Sequence, residues 1–532
     1  MADILLFNQY YTSEKETPEL VTAMLPYNLL CLATYLREKS MDCKIYELGI
    51  FDVSETIMSR GGRIRCGLPD RKIINIIKEE KPKIIGIGCM YTIHFWAITE
   101  IARLIKETDP TIKVVLGGSH ATIFAGQILK EQSFDYVVRG EGEITFHELC
   151  SGILSGQPGE EEIAGITYRT KNGEIKSNPD RSFIKDIDIL PIPDYSLVDL
   201  KKYADPSFKS PYHMRHPPIG ILTSRGCPYK CVFCTVREVW KRNWRARSAQ
   251  KTVDEIEILA KNYGIREIYF MDDNVSLDKK RWKEILEEII KRKLDIKWTV
   301  PNGIAFWTLD KELLKLMKAS GCYRLTFGIE SANEGTKKFI GKPYPLEMAK
   351  NLIKYANEIG MWTICTNIIG FPYETKEAIQ DTVDFAKYSG TDFATFYLLA
   401  LHPVSDVYGY FKKENLLDFD FVFTDNWFVD EKFKKLFKTL YAGGFSTKYL
   451  TAKELRKIQQ KAYKDFILYR AFTYIVNPFK LLKKIRSFED FRFVTKLLFM
   501  GVKILFRSLL TTVMPKEKSV YNLFYKSSVK IK

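Results

Sequence analysis

Short apolar runs separated by amphipathic stretches recur along most of this 532-residue chain. In residues 1–155 the runs are "DILLF", "CKIYEL", "KIIGIGCM", "KVVLGG" and "DYVVRG". Near-continuous apolar character marks strands covered on both faces, and such strands need helices on both sides. "FWAITEIARLIKE" and "AGQILKEQ" have the helical period that supplies them. The pattern predicts an α/β fold whose first domain, 1–155, is a doubly wound parallel sheet of the Rossmann-like kind. Sheets of that kind bind ligands beyond the carboxyl ends of their strands, where the strand order reverses.

The alternation then breaks and restarts. In "GITYRTKNGEIKSN" the pair Asn172-Gly173 separates two alternating runs, the signature of a type I′ hairpin. "DIDILPIPDYSLVDL" and "ADPSFKSPYHMRHPP" are rich in proline and turn residues, so 156–216 is expected to be a hairpin followed by an irregular linker. From 217 the strand signals are "IGILTS", "EIYFMD", "IKWTVP", "RLTFGIE", "WTICTNIIGF" and "FATFYLLAL". Helices such as "VDEIEILAKNY" intervene, one with a capping box expected at "TVDE", residues 252–255. Six such units over 217–405 predict a partial (β/α)6 barrel, open on one side. Residues 406–532 read as a helical, aromatic and basic C-terminal region.

The charge divides along the same line. The whole chain carries +16, yet residues 431–532 alone hold 24 Lys and Arg against 6 Asp and Glu. The body of the protein is therefore close to neutral, which argues against a nucleic-acid-binding enzyme. Ten cysteines in a chain this long are too sparse for a disulfide scaffold, and "MADILLFNQYY" is no secretory leader, so a cytoplasmic location is expected.

Three of the cysteines, Cys227, Cys231 and Cys234, fall within eight residues in "ILTSRGCPYKCVFCT". The spacing is C-x3-C-x2-C. Structural zinc takes four ligands, commonly from paired C-x2-C knuckles. A four-iron cluster held by three thiolates keeps one iron open for another ligand. The loop follows the first barrel strand, at the end where barrel active sites form. The alternative is a zinc site completed from a distance by Cys322 or Cys365.

"CPYKCVFC", with Phe233 at its aromatic position, resembles the signature of the radical S-adenosylmethionine (radical SAM) superfamily. "LGGSHAT" and "VVRGEGEITFHEL" resemble the cobalamin-binding domain that precedes this barrel in one large subgroup. The resemblance spans about residues 1–405. It implies a [4Fe–4S] cluster on Cys227, Cys231 and Cys234. Its open iron would chelate S-adenosylmethionine, whose reductive cleavage gives a 5′-deoxyadenosyl radical. It also implies cobalamin on the N-terminal sheet and a one-electron donor such as flavodoxin or ferredoxin.

Around the adenosyl ligand, strand ends offer Asp272, Asp273 and Asn274 in "YFMDDN", Glu330 and Ser331 in "GIES", and Asn367 and Glu374 in "TNIIGFPYET". By resemblance, "MDDN" occupies the place that takes the methionine amino group and "GIES" the place that meets the ribose; Asp273 or Asn274 could instead cap the next helix. Arg245 and Arg247 are equally readable as carboxylate ligands or surface charge. For the corrinoid the candidates are Gly117, Gly118, Ser119, His120, Gly140 and Glu141. The D-x-H-x-x-G motif that supplies a cobalt ligand in some relatives is absent from 1–155, and His94 in "MYTIHFW" is read as part of the loop below the corrin.

The function expected is methyl transfer to an unactivated carbon of a hydrophobic or lipid-like small molecule. The alternatives are oxidative cyclisation or rearrangement without methyl transfer, and a non-enzymatic corrinoid and iron–sulfur electron carrier or sensor. In "DFRFVTKLLFMGVKILFRSLL", Arg492, Lys496, Lys503 and Arg507 fall within roughly a 60° arc of one helix at about 100° per residue. A narrow basic stripe on an otherwise apolar helix fits one lying at a membrane surface, here the inner face; a helix packed on the barrel is the other reading. No run is long and apolar enough to span a bilayer.

Overall fold

The computed structural model describes residues 2–13, 25–49, 57–58, 64–157, 159–203, 213–342, 344–417 and 444–499. They divide into two compact units, one within Met1–Lys209 and the other within Ser210–Phe421 and Lys435–Phe524.

The first unit is built on a seven-stranded sheet. Its strands are β1 (Ile4–Asn8), β2 (Cys43–Glu47), β3 (Ile84–Gly88), β4 (Lys113–Gly117), β5 (Tyr136–Val138), β6 (Ile166–Arg169) and β7 (Ile175–Ser177). The order is β2-β1-β3-β4-β5-β6-β7, parallel through β5. Helices Tyr27–Glu38, Phe95–Thr108 and Gly142–Ser155 are among those that connect the strands. The apolar runs are buried as their composition requires: all of β3 and the first four residues of β1 are covered. The order reverses between β1 and β3, so the crevice for a ligand opens at their carboxyl ends.

The hairpin expected to begin a linker instead extends this sheet. β6 pairs antiparallel with β5, and β7 with β6. The Arg139 guanidinium donates to the Ile166 carbonyl at 2.8 Å, and Ile166, Thr167 and Tyr168 are buried. The proline-rich stretch packs as well. Ile184, Ile187 and Leu190 form a buried cluster with Tyr35 and Ile144, and Asp186 and Asp194 cap short 3-10 turns. Proline stops these residues from forming regular structure but does not stop their apolar side chains from docking.

The second unit holds β8 (Pro218–Ile221), β9 (Glu267–Phe270), β10 (Lys297–Ile304), β11 (Cys322–Glu330), β12 (Trp362–Ile369) and β13 (Phe393–Leu398). All pair in parallel, and the spatial order is the chain order. A sheet wound in one direction is what a β/α barrel repeat produces, and it brings all the strand-to-helix loops to one end. β11 is buried along its whole length. Phe270, Trp282 and Trp298 meet edge to face at 5.1–5.4 Å.

The helix Ala249–Asn262 starts earlier than "TVDE" predicts. Ser248 is its N-cap, accepting from Lys251 N–H, and Thr252 lies inside the first turn, donating to the Ser248 carbonyl. Ser248 is followed at once by residues able to continue a helix, so the upstream cap wins. Glu255 is left to pair with Arg247 at 2.6 Å.

In the C-terminal region the helix Ala452–Val476 opens with a capping box, Thr451 and Glu454, and lays Leu455, Ala462 and Phe466 on Ile369, Phe396 and Leu398. Residues 488–499 are helical, with Phe493 and Val494 buried against Tyr323 and Trp362. Lys496 donates to the His213 carbonyl at 3.1 Å. This part of the expected basic helix is thus seated on the barrel; Lys503 and Arg507 lie outside the described residues. No helix among the described residues is long and apolar enough to cross a membrane.

Trp298 donates from Nε1 to the Ser320 carbonyl at 3.1 Å as well as packing on Phe270 and Trp282. Trp298→Ala should cost the second unit about 3–5 kcal/mol, read as an earlier midpoint in urea unfolding followed by circular dichroism.

Candidate functional site

The cysteine loop is held by backbone. Gly226 has φ +87°, and a Cβ there would lie 2.2 Å from the Asn243 carbonyl oxygen. Val232 N–H donates to the Ile340 carbonyl at 3.2 Å, and Val407 N–H to the Val232 carbonyl at 2.9 Å. Gly341, at φ +78°, lies against the Lys230 carbonyl so closely that a Cβ would meet it at 2.9 Å. Phe233 packs into the cluster formed by Ile340, Phe371 and Phe411, so its ring anchors the loop.

The three thiols are half-buried and lie within one another's electrostatic reach. Burial pushes all three up, Cys234 to about 12. Metal binding must therefore displace their protons. Among the described residues no three His, Cys, Asp or Glu side chains converge on a single ion. A cubane takes each thiolate on a different iron, so its cysteines need not converge. Cys322 begins β11, at the end away from the loop, and the Cys365 thiol is buried against Ser389 and Thr391. The donor set at the loop thus fits a three-thiolate iron–sulfur cluster, without a fourth thiol beside it.

The strand ends sort the polar candidates. The Asp272 carboxylate is buried and accepts from Thr223 N–H at 3.0 Å, Thr223 Oγ1 at 2.8 Å and Ser224 Oγ. Through Oδ1 it locks the end of β9 to that of β8, while its buried Oδ2 has no hydrogen-bond partner among the described residues. Asp273 is exposed, accepts from Gly226 N–H and faces Cys227 and Cys234. Desolvation and the charge of Asp272 push its carboxyl up to about 6. Asn274 hydrogen-bonds the Cys227 thiol, a contact its reading as a helix cap did not anticipate.

Glu330 ends β11 at φ +61°, a left-handed conformation unusual for a residue with a side chain. Its Oε1 accepts from the Lys342 ammonium at 2.7 Å, and Lys342 also reaches the Gly328 carbonyl at 3.3 Å. Burial opposes the Lys342 charge, but Glu330 and the Cys231 sulfur outweigh it and hold the ammonium above its usual range. Sequence reasoning missed Lys342, because nothing in "IGKPY" signals a half-buried cation beside the cysteine loop. Ser331 is fully buried and bonds Thr382 and Asn333 N–H, an internal cap. Asn367 is buried, donating to the Thr395 carbonyl at 3.0 Å. Glu374 accepts from Gly370 and Phe371 N–H and fixes that turn; burial pushes its carboxyl up to about 7. Arg247 is committed to Glu255, and Arg245 is buried over the Trp240 ring.

In the first unit the loops after β1 and β3 meet across the reversal point. Gln9 and His94 Nδ1 are 3.0 Å apart, and the Tyr11 and Tyr91 rings stand edge-on to His94. Burial pushes His94 down to about 4, so it is neutral near pH 7. Beyond β4, a Cβ on Gly117 would meet only the Val138 carbonyl, at 3.9 Å, and one on Gly140 would meet nothing within 4 Å. These two glycines line open space, as a bulky ring or a nucleotide tail requires. Gly118 is different: at φ +104° its Cβ would sit 2.6 Å from the Cys89 carbonyl oxygen, so it is needed for packing. Ser119 is half-exposed beside it. His120 is buried between Phe95 and Phe124 and bonds Thr92, and Glu141 accepts from Ile184 N–H at 2.8 Å. Both are turned into the protein. The donors and the open strand ends fit a corrinoid through Gly117, Ser119 and Gly140.

Comparison with known proteins agrees with both halves. The radical SAM superfamily pattern matches residues 221–386, and the B12 binding domain matches residues 19–150. The chain is 34% identical to an uncharacterised methyltransferase of Pyrococcus horikoshii, over 80% of this chain and 85% of that one. It is 30% identical to cytidylyl-2-hydroxyethylphosphonate methyltransferase of Streptomyces wedmorensis, over 74% and 78%. More distant relatives include an anaerobic magnesium-protoporphyrin IX monomethyl ester cyclase of Rubrivivax gelatinosus, 29% identical over 64% and 60%. The hopanoid C-3 methylase of Methylococcus capsulatus is 25% identical over 63% of each chain. In fold the chain is similar to the radical S-adenosylmethionine methyltransferase TsrM of Kitasatospora setae, solved with cobalamin and a [4Fe–4S] cluster. The TM-score is 0.61 at 20% identity, over 76% of this chain and 77% of that one.

Three substitutions test this geometry. Cys231→Ala should abolish the brown iron–sulfur absorption after anaerobic reconstitution and reduce S-adenosylmethionine cleavage to background. Gly117→Val should block uptake of hydroxocobalamin, read from its visible spectrum, while the apoprotein keeps its unfolding midpoint. Gly118→Ala should lower that midpoint by about 1–3 kcal/mol of stability, because it strains φ and presses on Cys89.

Proposed function

We propose that this chain, which belongs to the cobalamin-dependent radical SAM methyltransferases, methylates an unactivated carbon of a hydrophobic small molecule. The observation that carries the reading is extended similarity to two methyltransferases, with a three-thiol loop at the carboxyl ends of a parallel barrel sheet. When bound, the cluster with S-adenosylmethionine supplies hydrogen-atom abstraction, and the corrinoid supplies the methyl group. The chain's own residues then have distinct tasks. Asp273 presents a carboxylate beside the cysteine loop, suited to the methionine ammonium. Lys342, oriented by Glu330, presents a cation suited to the methionine carboxylate. Asn274 steadies Cys227. Gly117, Ser119 and Gly140 leave room for the corrinoid.

The hydrophobic substrate is supported by the hopanoid named in one relative. Oxidative cyclisation is the second reading, favoured by the cyclase relative. A non-enzymatic carrier or sensor finds no support in a chain this similar to methyltransferases. We assign the protein to the cytoplasm, with a one-electron donor of the flavodoxin or ferredoxin type. A membrane surface is a further partner.

The test is comparative mass spectrometry of small molecules and lipids from cells with and without the protein, followed by reaction of the candidate with reconstituted enzyme. Methylation predicts S-adenosylhomocysteine and 5′-deoxyadenosine in equal amounts and a product heavier by one CH2. 5′-Deoxyadenosine without S-adenosylhomocysteine, and a product that has only lost hydrogen, would establish cyclisation instead. Lys342→Gln should weaken S-adenosylmethionine binding about 10- to 100-fold, the range for removing one charged hydrogen bond. Lys342→Arg should restore part of it, and equilibrium dialysis distinguishes the two.

A further inference from the structure

Ten large apolar side chains between Leu468 and Phe499 stand exposed, among them all five exposed phenylalanines of the described residues. Exposed apolar residues scattered singly are ordinary on soluble proteins; a concentration like this is not. Leu468, Phe472 and Ile475 share one face of the helix Ala452–Val476, away from the buried Ala462 and Phe466. Phe479 and Leu482 continue it, 71% and 55% exposed, and Phe488 and Phe499 stand 77% and 74% exposed on the last described helix. That helix buries Phe493 and Val494 on the barrel and turns further apolar side chains outward. It is apolar on both sides, but only one side is covered.

The charges around these side chains have one sign. Lys480, Lys483 and Arg492 are exposed, and none has an ion-pair partner among the described residues. The acids of this stretch are turned inward: Glu489 pairs with Arg215, and Asp490 is buried, accepting from Arg486 N–H and Ser487. A second copy of the chain would set this cationic rim against itself. Residues 500–532 hold seven Lys and Arg against one Glu, so their charge is repelled too. Nucleic acid would need a polar basic groove rather than phenylalanines among lysines. We infer that the face between Leu468 and Phe499 is a membrane-surface anchor that seats its phenylalanines among the headgroups and first acyl carbons of anionic phospholipid. The inference rests on the packing of the second unit and not on the reaction proposed above.

The test is sedimentation of the full-length protein with vesicles of phosphatidylcholine, with and without phosphatidylglycerol. Wild type should pellet with the anionic vesicles and much less with neutral ones, and high salt should release it. Phe479→Glu/Phe488→Glu should lower partitioning about tenfold or more. Lys480→Gln/Lys483→Gln should lower it about fivefold per lysine on anionic vesicles only. Ile189→Glu, which alters an exposed apolar residue of the first unit, should change nothing. Cleavage of S-adenosylmethionine in solution is measured on every protein, so a lost anchor and a lost active site are told apart. Negligible pelleting of wild type with anionic vesicles would overturn the inference. So would a concentration-dependent dimer in sedimentation velocity that Phe479→Glu/Phe488→Glu abolishes, because the face would then belong to a second copy.

Discussion

A cluster loop has to hold three thiols in fixed relation before any iron arrives, and here backbone contacts that only glycine permits do so. Gly226 lets the chain pass the Asn243 carbonyl, and Gly341 lets the turn after the helix Glu334–Ile340 touch Lys230. The hydrogen bonds through Val232 then tie the loop to residues 340 and 407, on either side of the last two strands. The loop's shape is thus a property of the barrel, and the barrel's order follows from strands wound in one direction. Lys342 gains its place by the same route: a residue adjacent to Gly341 cannot avoid the cysteine loop once the turn is clasped to it.

Much of this was legible in the sequence. The two series of apolar runs predicted both sheets, because near-continuous burial leaves few alternatives for short segments. The cysteine spacing and the end of the barrel it occupies were legible for the same reason. Side-chain direction was not. In "MDDN" the sequence does not say which of two adjacent carboxylates faces inward; the structure buries Asp272 and leaves Asp273 exposed, within electrostatic reach of Cys227 and Cys234. "LGGSHAT" raised the same ambiguity. Gly117 and Gly118 look equivalent, yet one borders open space and the other a carbonyl 2.6 Å from where its Cβ would be. His120 and Glu141 are polar residues at strand ends whose partners are inside the domain, a distinction set by tertiary packing alone.

The hairpin forms as expected, but its place in a linker does not hold, for a different reason. "KNG" fixes a turn locally, but whether its strands join a sheet depends on an edge being free, and β5 offered one. The proline-rich stretch looked like a linker because proline forbids regular hydrogen bonding, while burial of Ile184, Ile187 and Leu190 needs only shape. The helical period of the C-terminal segment was read correctly over its described part. Its covered face was not, since Phe493 and Val494 are no more apolar than the residues left outside.

The position of that segment bears on what an anchor could do. Lys484 and the Tyr474 hydroxyl both bond Asp392, at 2.8 and 2.7 Å, immediately before β13 begins. Phe493 packs on Tyr323 and Trp362, near the first residues of β11 and β12. The exposed phenylalanines are therefore fixed at the amino ends of the barrel strands, whereas the cysteine loop, Asp273 and Glu330 lie at the carboxyl ends. β12 has eight residues, which at about 3.3 Å each puts roughly 25 Å between the two ends. That distance approaches the thickness of a bilayer's hydrocarbon core, about 30 Å. A headgroup-level anchor at the amino ends cannot present a carbon still embedded in that same membrane to the site. Membrane attachment and a lipid substrate are thus separable: attachment would set where the enzyme works, while the substrate must reach the carboxyl-end opening from the aqueous side or on a carrier.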